Sequence, residues 1–492
     1  MNLISFLEQS SNSFQNNPAI VEVDSEYQIT YEELWGRVHK LSHQLINLGL
    51  HKDDKVILAL PNSIDWIICF LACVASGATV VPLLSSATSF DIKRTILNTK
   101  PSLFIGDSSF INRALPFDLV GEGQRVVITN KKLTTGKEKN KRITKLNELI
   151  DCSHSSAKRV GHDQVQQSET TSINYTYRGY GYPVGAMLSP TNYIEGIRAY
   201  AKTAGFSRGE RCLAIAPFCY IYPLLGCVLT PLYTGSTIVI TQSISANKIW
   251  PILKKYNVNV ITGTPSFYIS LAAHVNSETD TSGIEFAFSG GSLLSEDQHQ
   301  EVYKKLGIDL RQGYGLTECM PVTCNPARSK KPGSLGKILV GAKGIAVKVI
   351  DDKGATKPVG EVGEIAVSGP TLTRGYFQME EQFRSICQNG WFLTGDLGYF
   401  DEEGYLFFSG LKKRITKVGG NMVDLLEVED RILSAPGIRK ARVYAVADDR
   451  WGSVVAADIE TASTEVDQKK IKHHLKKYLA SYKIPKEINT TS

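Results

Sequence analysis

The chain has 492 residues, which predicts about three domains rather than one compact core, because domains average roughly 150 residues. Its 42% hydrophobic and 21% charged residues are typical of a soluble globular protein. The net charge of +6 is mild, so it would attract an anionic small molecule such as a nucleotide and gives no reason to expect nucleic-acid binding.

Cysteine usage and the N-terminus point to a cytoplasmic protein. The nine cysteines occur singly, without a C-x-x-C pair, which favours free thiols in a reducing compartment over a zinc site or a disulfide framework. The opening stretch, MNLISFLEQSSNSF, lacks the basic and apolar regions of a secretory signal.

Two long apolar stretches, residues 64–84 and 212–240, test the prediction that no segment spans a membrane. The first is interrupted by Asp65, Gly77 and Pro82, and the second contains several prolines. We therefore predict a buried helix, a glycine turn and a buried strand in the first stretch, and protein core in the second.

Short β-branched runs alternate with amphipathic runs through the first half of the chain. Strands are predicted at residues 55–60, 79–83, 102–105, 125–129, 213–216, 236–241 and 258–261. Helices are predicted at residues 31–48, 64–75 and 247–255. This alternation predicts an α/β fold with mostly parallel sheets flanked by helices.

The pattern changes twice farther along. Residues 130–170 are rich in lysine and have no regularly spaced apolar residues, which predicts a solvent-exposed surface segment. Residues 336–410 contain short strands at 347–350, 364–368 and 405–409, which predict a small, mainly antiparallel subdomain. We expect a large N-terminal domain over residues 1–412 and a small α/β domain over 413–492.

The segment Gln312-Gly313-Tyr314-Gly315-Leu316-Thr317-Glu318 is the strongest chemical motif. Its glycines permit a tight backbone against a flat ring, while Thr317 offers a hydroxyl for phosphate and Glu318 a carboxylate for Mg²⁺. The alternative is a strand-to-helix turn in which Thr317 caps the helix.

Other motifs occur in a fixed order around this segment. They are Ser289-Gly290-Gly291, Thr394-Gly395-Asp396, Lys417-Val418-Gly419-Gly420-Asn421 and Glu427-Val428-Glu429. With them, the chain resembles the adenylate-forming superfamily of acyl-CoA synthetases, peptide-synthetase adenylation domains and luciferases. The resemblance runs from the T-Y-x-E-L pattern at residues 30–34 to Tyr482-Lys483-Ile484-Pro485.

The resemblance implies ATP and Mg²⁺ as cofactors and assigns roles to single residues. Tyr314 would stack on adenine beside Gly290 and Gly291, Thr317 would contact phosphate, Glu318 would hold Mg²⁺, and Asp396 would bind ribose. Lys413 falls at the family's interdomain hinge, about which the small domain swings, and Gly419 and Gly420 would line the acceptor tunnel.

The family's phosphate loop, Y-T-S-G-T-T-G-x-P-K-G, is altered here to Y-T-Y-R-G-Y-G-Y-P-V-G at residues 175–185. Thr176, Gly179 and Gly181 remain in register, and Arg178 could replace the missing lysine at phosphate. The alternative is a degenerate loop that no longer holds ATP. The tyrosine- and arginine-bearing loop also resembles that of coronafacate-ligase-type enzymes, which join an acid to an amino acid.

Two further departures concern the hinge and the C-terminus. Leu411 replaces the family's arginine, and the sequence stops at Ser492, before the position of the family's adenylation lysine. Lys486 lies too early to match that lysine. The expectation is either a sequence cut short or a protein that adenylates poorly by itself.

The acyl substrate is expected to lack an α-amino group, because residues 216–222 contain no aspartate of the kind that amino-acid-activating domains use. Tyr220, Ser266, Phe267 and Gly315 are predicted to line its pocket. The predicted reaction forms an acyl-AMP and passes the acyl group to a thiol, coenzyme A or a carrier. The alternatives are transfer to an amino acid and a nucleotide-binding pseudoenzyme.

Overall fold

The computed structural model describes residues 2–114, 125–129, 143–151, 168–206, 209–242, 245–276, 279–327, 330–339, 344–412, 414–461 and 468–491. The chain forms two compact units, the first comprising Met1–Asn174 and Met187–Ile261, the second Tyr175–Ala186 and Thr262–Ser492. Most of the predicted surface segment at 130–170 and all of Lys413 lie outside the described residues.

The first unit contains most of the helices. They are α1 (Leu3–Ser11), α2 (Tyr31–Asn47), α3 (Ile64–Ala75), α4 (Ser89–Thr99), α5 (Ser108–Ala114), α6 (Leu146–Asp151), α7 (Pro190–Ala204), α8 (Ile221–Pro223), α9 (Thr230–Thr234) and α10 (Ala246–Lys255), with a 3₁₀ turn at Asn12–Phe14 and a π-helix at Leu224–Leu229.

Twelve strands begin in this unit or cross its boundary. They are β1 (Pro18–Glu22), β2 (Tyr27–Thr30), β3 (Lys55–Ala59), β4 (Thr79–Pro82), β5 (Leu103–Gly106), β6 (Arg125–Ile128), β7 (Ile143–Lys145), β8 (Ser172–Tyr177), β9 (Pro183–Leu188), β10 (Arg211–Ala214), β11 (Thr237–Ile240) and β12 (Val260–Gly263). The chain passes between the units within β8, β9 and β12.

The strands of the first unit pair mainly in parallel, as the alternating pattern predicts. One sheet has the order β7-β6-β5-β3-β4, with the start of β8 beside β4, and all of these pairs are parallel. In a second group, β11 lies parallel to both β1 and β10, and β10 lies parallel to β12. The strand β2 returns antiparallel to β1.

The first long apolar stretch folds as predicted. Ser63 caps α3 by accepting the Trp66 N–H, and every residue of α3 except Asp65 is buried. Gly77 then turns with φ of 83°, a value that favours glycine, and β4 follows with all four residues buried. No helix in the described part of the chain is long and apolar enough to cross a bilayer.

Two strands have boundaries that differ from the prediction, because of side-chain hydrogen bonds in one case and backbone conformation in the other. The strand predicted at 213–216 is β10, which ends at Ala214. It ends there because the Asn62 side chain hydrogen-bonds the backbone that follows: it donates to the Ala216 carbonyl and accepts the Phe218 N–H. The strand predicted at 258–261 begins two residues later, since Asn257 adopts φ of 48° at the end of α10.

The second unit consists mainly of strands. They are β13 (Phe286–Ser289), β14 (Leu310–Leu316), β15 (Cys319–Cys324), β16 (Lys337–Ile338), β17 (Ala346–Ile350), β18 (Gly363–Ser368), β19 (Cys387–Gln388), β20 (Trp391–Phe400), β21 (Leu406–Leu411), β22 (Ile415–Val418), β23 (Asn421–Asp424), β24 (Ile438–Asp448), β25 (Gly452–Thr461) and β26 (Glu487–Thr491).

Five helices lie among these strands: α11 (Pro265–Ala273), α12 (Glu296–Leu306), α13 (Glu380–Ile386), α14 (Leu425–Leu433) and α15 (Gln468–Leu475), with a 3₁₀ turn at Ser481–Lys483. The predicted antiparallel subdomain is the sheet β17-β18-β20-β19, with β21 on β20. The C-terminal part packs α14 and α15 with the sheet β24-β25-β26 around one apolar core.

Candidate active site

The altered loop at residues 175–185, which we call the phosphate loop, is the connection between β8 and β9. Gly179 and Gly181 have φ of 77° and 80°, so both positions require the left-handed conformation that glycine tolerates. Thr176 is buried near the end of β8. The loop is therefore a shaped turn, and its contact with phosphate stays a prediction.

The aromatic motif forms a β-hairpin. Tyr314 and Gly315 lie in β14, Thr317 and Glu318 make the turn, and Leu316 pairs with Cys319 across it. The alternative reading, a helix capped by Thr317, is wrong, because the chain folds straight back into β15. The Thr317 side chain is partly exposed and bonds no described residue, so its hydroxyl is accessible to a ligand.

Asp396 is held at one oxygen by Tyr314. It lies in the middle of β20, is 5% exposed, and accepts the Tyr314 hydroxyl at Oδ2 across 2.5 Å. Oδ1 accepts no hydrogen bond from any described residue. Burial raises the pKa of Asp396, while Lys417, the Tyr314 hydroxyl and Arg178 counteract part of the rise. The free Oδ1 is the atom that could accept from a ribose hydroxyl.

Glu318 is held in the same manner by Tyr376. The Tyr376 hydroxyl donates to Oε1 of Glu318 across 2.6 Å, and Arg178 Nε lies 3.6 Å from the same oxygen. Burial and the charge of Glu318 raise the pKa of Tyr376, which keeps this phenol protonated as a donor. Oε2 of Glu318 has no hydrogen-bond partner among the described residues.

Arg178 is buried and contacts β20. Its Nη1 donates to the Thr394 carbonyl across 2.5 Å, its Nη2 donates to the Leu393 carbonyl across 2.9 Å, and its guanidinium lies 4.9 Å from the Phe392 ring centroid. These contacts join the phosphate loop to β20 two residues before Asp396. Direct contact of Arg178 with phosphate stays a prediction, and the geometry favours a positioning role beside Glu318.

The two carboxylates fit a magnesium nucleotide. Mg²⁺ prefers carboxylate and phosphate oxygens and usually keeps several waters, so one protein carboxylate with a free oxygen suffices. Glu318 Oε2 is such an oxygen. Among the residues that the structure describes, no cluster of three or more His, Cys, Asp and Glu side chains could hold a metal by itself.

The small-residue turn after β13 lies against the Gly419-Gly420 motif. A Cβ built on Gly291, which has φ of 85°, would lie 3.9 Å from Gly420 Cα and 3.8 Å from Thr264 Cγ2. The Gly290 N–H donates to the Gly263 carbonyl across 3.1 Å. The backbones at Gly291 and Gly420 therefore approach each other closely beside the predicted adenine position, because both residues lack a side chain.

Three of the predicted acyl-pocket residues belong to the second unit. Phe267 packs on Gly263, where an added Cβ would lie 2.7 Å from Phe267 Cδ1, and Ser266 Oγ lies 3.0 Å from Thr264 Oγ1. A Cβ on Gly315 would lie 3.0 Å from Met320 Cε, so a larger residue there would require the methionine side chain to shift. Tyr220 belongs to the first unit, where it precedes α8 and is partly buried.

The residues on either side of Lys413 are both paired. Lys412 Nζ lies 3.0 Å from Glu364 Oε2, and the Arg414 guanidinium binds both carboxylate oxygens of Glu429. Leu411, where the family has arginine, ends β21 opposite Asp396. Lys413 itself lies outside the described residues, so its predicted hinge role stays a prediction.

Sequence reasoning missed Tyr376 and Lys417 as members of the site. Lys417 lies in β22 and is partly buried; its carbonyl accepts the Ser453 hydroxyl, while its ammonium makes no hydrogen bond to a described residue. Burial lowers the pKa of its ammonium, and the negative charge of Asp396 opposes this shift. Lys417 opens the motif Lys417-Val418-Gly419-Gly420-Asn421, but only the fold shows that its ammonium lies near Asp396.

Comparison with known proteins gives matches along most of the chain. The model for AMP-binding enzymes matches residues 7–377, and that for the AMP-binding enzyme C-terminal domain matches 427–492. Oxalate–CoA ligase of Arabidopsis thaliana is 26% identical, over 99% of this chain and 94% of that protein. Tyr314, Glu318 and Tyr376 fall within the first match, whereas Asp396 and Lys417 lie between the two.

Solved structures give the same fold. ATP-bound MatB from Rhodopseudomonas palustris matches with a TM-score of 0.73 and 25% identity, covering 100% of this chain and 94% of that chain. The amide bond synthetase McbA from Marinactinospora thermotolerans matches with a TM-score of 0.87 and 21% identity, covering 100% and 96%.

Proposed function

Because the chain belongs to the family of AMP-binding enzymes, as its motifs predicted, we propose that it is an ATP-dependent carboxylic acid ligase. In this proposal it forms an acyl-AMP and transfers the acyl group to the thiol of coenzyme A or of a carrier. The name of the Arabidopsis relative, a CoA ligase, supports the thiol acceptor.

The single observation that carries the proposal is the pair of tyrosine-held carboxylates. Glu318 and Asp396 each have one oxygen fixed by a buried phenol and one oxygen that bonds no described residue. In the proposal, Oε2 of Glu318 holds Mg²⁺ and Oδ1 of Asp396 accepts from the ribose hydroxyls. Mg²⁺ supplies charge neutralisation at the phosphates when it is bound.

Catalysis by this chain is then mainly positioning. The substrate carboxylate attacks the α-phosphorus of ATP, pyrophosphate leaves, and the acyl-AMP reacts with the thiol while AMP leaves. Tyr314 carries the adenine on its ring while its hydroxyl orients Asp396. The accessible hydroxyl of Thr317 contacts a phosphate oxygen, and Arg178 keeps Glu318 in place. Lys417 places an amine near Asp396, where it can meet an anionic group of the adenylate.

For the acid, we propose a compound without an α-ammonium group, bound in an apolar pocket that includes Ser266, Phe267 and Gly315. A reducing cytoplasm is the proposed location. The eight cysteines in the described ranges are free thiols, which fits that compartment.

An amino acid is the second candidate acceptor. The observation that favours it is the phosphate loop, whose Tyr177 and Arg178 resemble the loop of amide-forming ligases and make specific contacts here. The amide bond synthetase McbA shares the fold.

The test is ATP consumption with a panel of aliphatic and aromatic acids, with coenzyme A or amino acids as the acceptor. Acid-dependent release of AMP and pyrophosphate with a thioester product supports the proposal, and an amide product supports the second candidate. ATP binding without acid-dependent AMP formation would favour a nucleotide-binding pseudoenzyme instead.

A further inference from the structure

A buried triad ties the phosphate loop to helix α14. The Tyr177 hydroxyl donates to Oε1 of Glu427 across 3.0 Å, and Lys483 Nζ donates to Oε2 of Glu427 across 2.7 Å. Lys483 Nζ also donates to the Tyr177 oxygen across 2.6 Å and lies 3.9 Å from the centroid of its ring. Glu427 is 1% exposed and Lys483 2%, so each charge depends on the other for compensation.

The same helix places a carboxylate on the backbone of the phosphate loop. The Gly181 N–H donates to Oδ2 of Asp424 across 2.9 Å, while Oδ1 accepts the Leu426 N–H at the start of α14 across 2.9 Å. A Cβ built on Gly181 would lie 3.5 Å from Oδ2 of Asp430, so α14 covers this side of the loop. Asp424 is fully buried in this position.

This contact uses a donor that an incoming phosphate would need. Glycine-rich loops bind phosphate through backbone N–H groups, and one N–H cannot form two good linear hydrogen bonds. A polyphosphate at Gly181 would also bring negative charge close to the buried carboxylate of Asp424, which is unfavourable. The observed docking of α14 and a polyphosphate at Gly181 are therefore mutually exclusive.

We propose that Asp424 is an internal competitor for the phosphate loop. In the arrangement described here it occupies the Gly181 donor in place of a phosphate oxygen, and the triad of Tyr177, Glu427 and Lys483 stabilises that arrangement. The serine of the family's loop would be too short to reach Glu427, so the tyrosine is what completes the triad. The inference rests on the proposed function, because it takes this loop to be the site of the ATP phosphates.

Pyrophosphate binding tests the competition without measuring activity. Magnesium pyrophosphate is titrated calorimetrically into the full-length protein and into Asp424→Asn, Tyr177→Phe and Asp430→Asn. The Asp424→Asn variant keeps an N-cap oxygen for α14 and places an amide NH₂ group, which cannot accept a hydrogen bond, where Oδ2 accepted the Gly181 N–H. We expect its Kd to fall about tenfold, which corresponds to about 1.4 kcal/mol. Tyr177→Phe removes one hydroxyl from the triad and should lower the Kd in the same direction.

Asp430→Asn is the matched control, because Asp430 lies beside Gly181 without bonding to it. Its Kd for pyrophosphate should stay within about twofold of wild type if the hydrogen bond to Gly181, rather than nearby negative charge, is what weakens pyrophosphate binding. Equal affinities of wild type, Asp424→Asn and Tyr177→Phe overturn the competition while leaving the proposed function intact, provided that ATP still binds. A pyrophosphate affinity that rises as much in Asp430→Asn as in Asp424→Asn also overturns the competition. Absence of both ATP and pyrophosphate binding in every protein overturns both proposals.

If Asp424→Asn does not fold, as judged by its thermal unfolding, Tyr177→Phe decides alone. A lower pyrophosphate Kd in that variant supports the competition, and an unchanged Kd overturns it.

Discussion

The Tyr314 hydroxyl donates to Oδ2 of Asp396 across 2.5 Å, and this bond leaves Oδ1 as the carboxylate oxygen without a partner among the described residues. Tyr376 and Glu318 repeat the arrangement at Oε1. A tyrosine thus fixes the orientation of each carboxylate and leaves one oxygen available to a ligand. In the proposed site, the two carboxylates bind different parts of one nucleotide.

Asp396 should make nucleotide binding sensitive to mild acid. In the proposed site the ionised carboxylate of Asp396 accepts from the ribose hydroxyls, and burial raises the pKa of this carboxyl group, so AMP affinity should fall as the pH drops through a value higher than that of an ordinary aspartate. Calorimetric titration of AMP across the pH range measures the inflection. Tyr314→Phe removes a bond that lowers the pKa and should move the inflection to higher pH, whereas Asp396→Asn should bind weakly at every pH. A wild-type profile as flat as that of Asp396→Asn would remove Asp396 from the site.

Glu318→Gln should uncouple nucleotide binding from magnesium. The amide keeps the size of the side chain and an oxygen for Tyr376 but loses the charge that would attract Mg²⁺. The Kd for ATP is measured with Mg²⁺ and with a chelator, in wild type and in the variant. The factor by which Mg²⁺ lowers the Kd should be at least about tenfold smaller in Glu318→Gln than in wild type, a difference of about 1.4 kcal/mol. Glu403→Gln is a control, because Glu403 is exposed and pairs with Lys331 instead. An unchanged gain in Glu318→Gln would exclude it as the metal ligand.

Arg178→Lys separates a positioning role from direct phosphate binding. A lysine keeps the charge but cannot donate to the Thr394 and Leu393 carbonyls together while facing Glu318, and stability should fall by about 1–3 kcal/mol. In the positioning account the variant loses most of the magnesium-dependent gain in ATP affinity and keeps its metal-free affinity. Direct phosphate contact would instead weaken metal-free ATP binding while leaving AMP binding unchanged.

Gly420→Ala should impair acyl transfer more than nucleotide binding. Gly420 has φ of 87°, and an added Cβ would lie 3.0 Å from Thr264 Cγ2, next to Gly291. The strain of the left-handed conformation is about 1–2 kcal/mol, and the contact adds to it. Gly404→Ala is the matched control, because Gly404 has φ of 79° and nothing within 4 Å of its added Cβ. Equal thioester formation from supplied acyl-AMP in the two variants would contradict a role of Gly420 at the acceptor path.

Local patterns made much of this fold predictable. Helix α3 covers the residues 64–75 that its apolar run predicted, and the structure adds Ser63 as the cap of its first turn. The bonds that build the site join residues far apart in sequence: Tyr376 lies 58 positions from Glu318, and Asp396 lies 82 from Tyr314. Motifs located the carboxylates, but only the packing of β-strands reveals which phenol orients each one.

The contacts of the phosphate loop were less predictable still. The sequence showed that Tyr177 and Arg178 depart from the family's loop, and it suggested phosphate as the partner of Arg178. Their observed partners are Glu427 and the carbonyls of β20. A buried pair such as Glu427 and Lys483 leaves no local pattern, since both residue types are ordinarily exposed.

The most direct measurement is product formation from a supplied synthetic acyl-AMP in the presence of equal coenzyme A and amino acid. The account predicts enzyme-dependent release of AMP with acyl-CoA as the main product, and a marked loss of rate in Asp396→Asn. An amide as the main product would assign the acceptor to the second candidate. A rate no higher than without enzyme, for acyl-AMP compounds with both aliphatic and aromatic acyl groups, would contradict the claim that this chain is an acyl-AMP ligase.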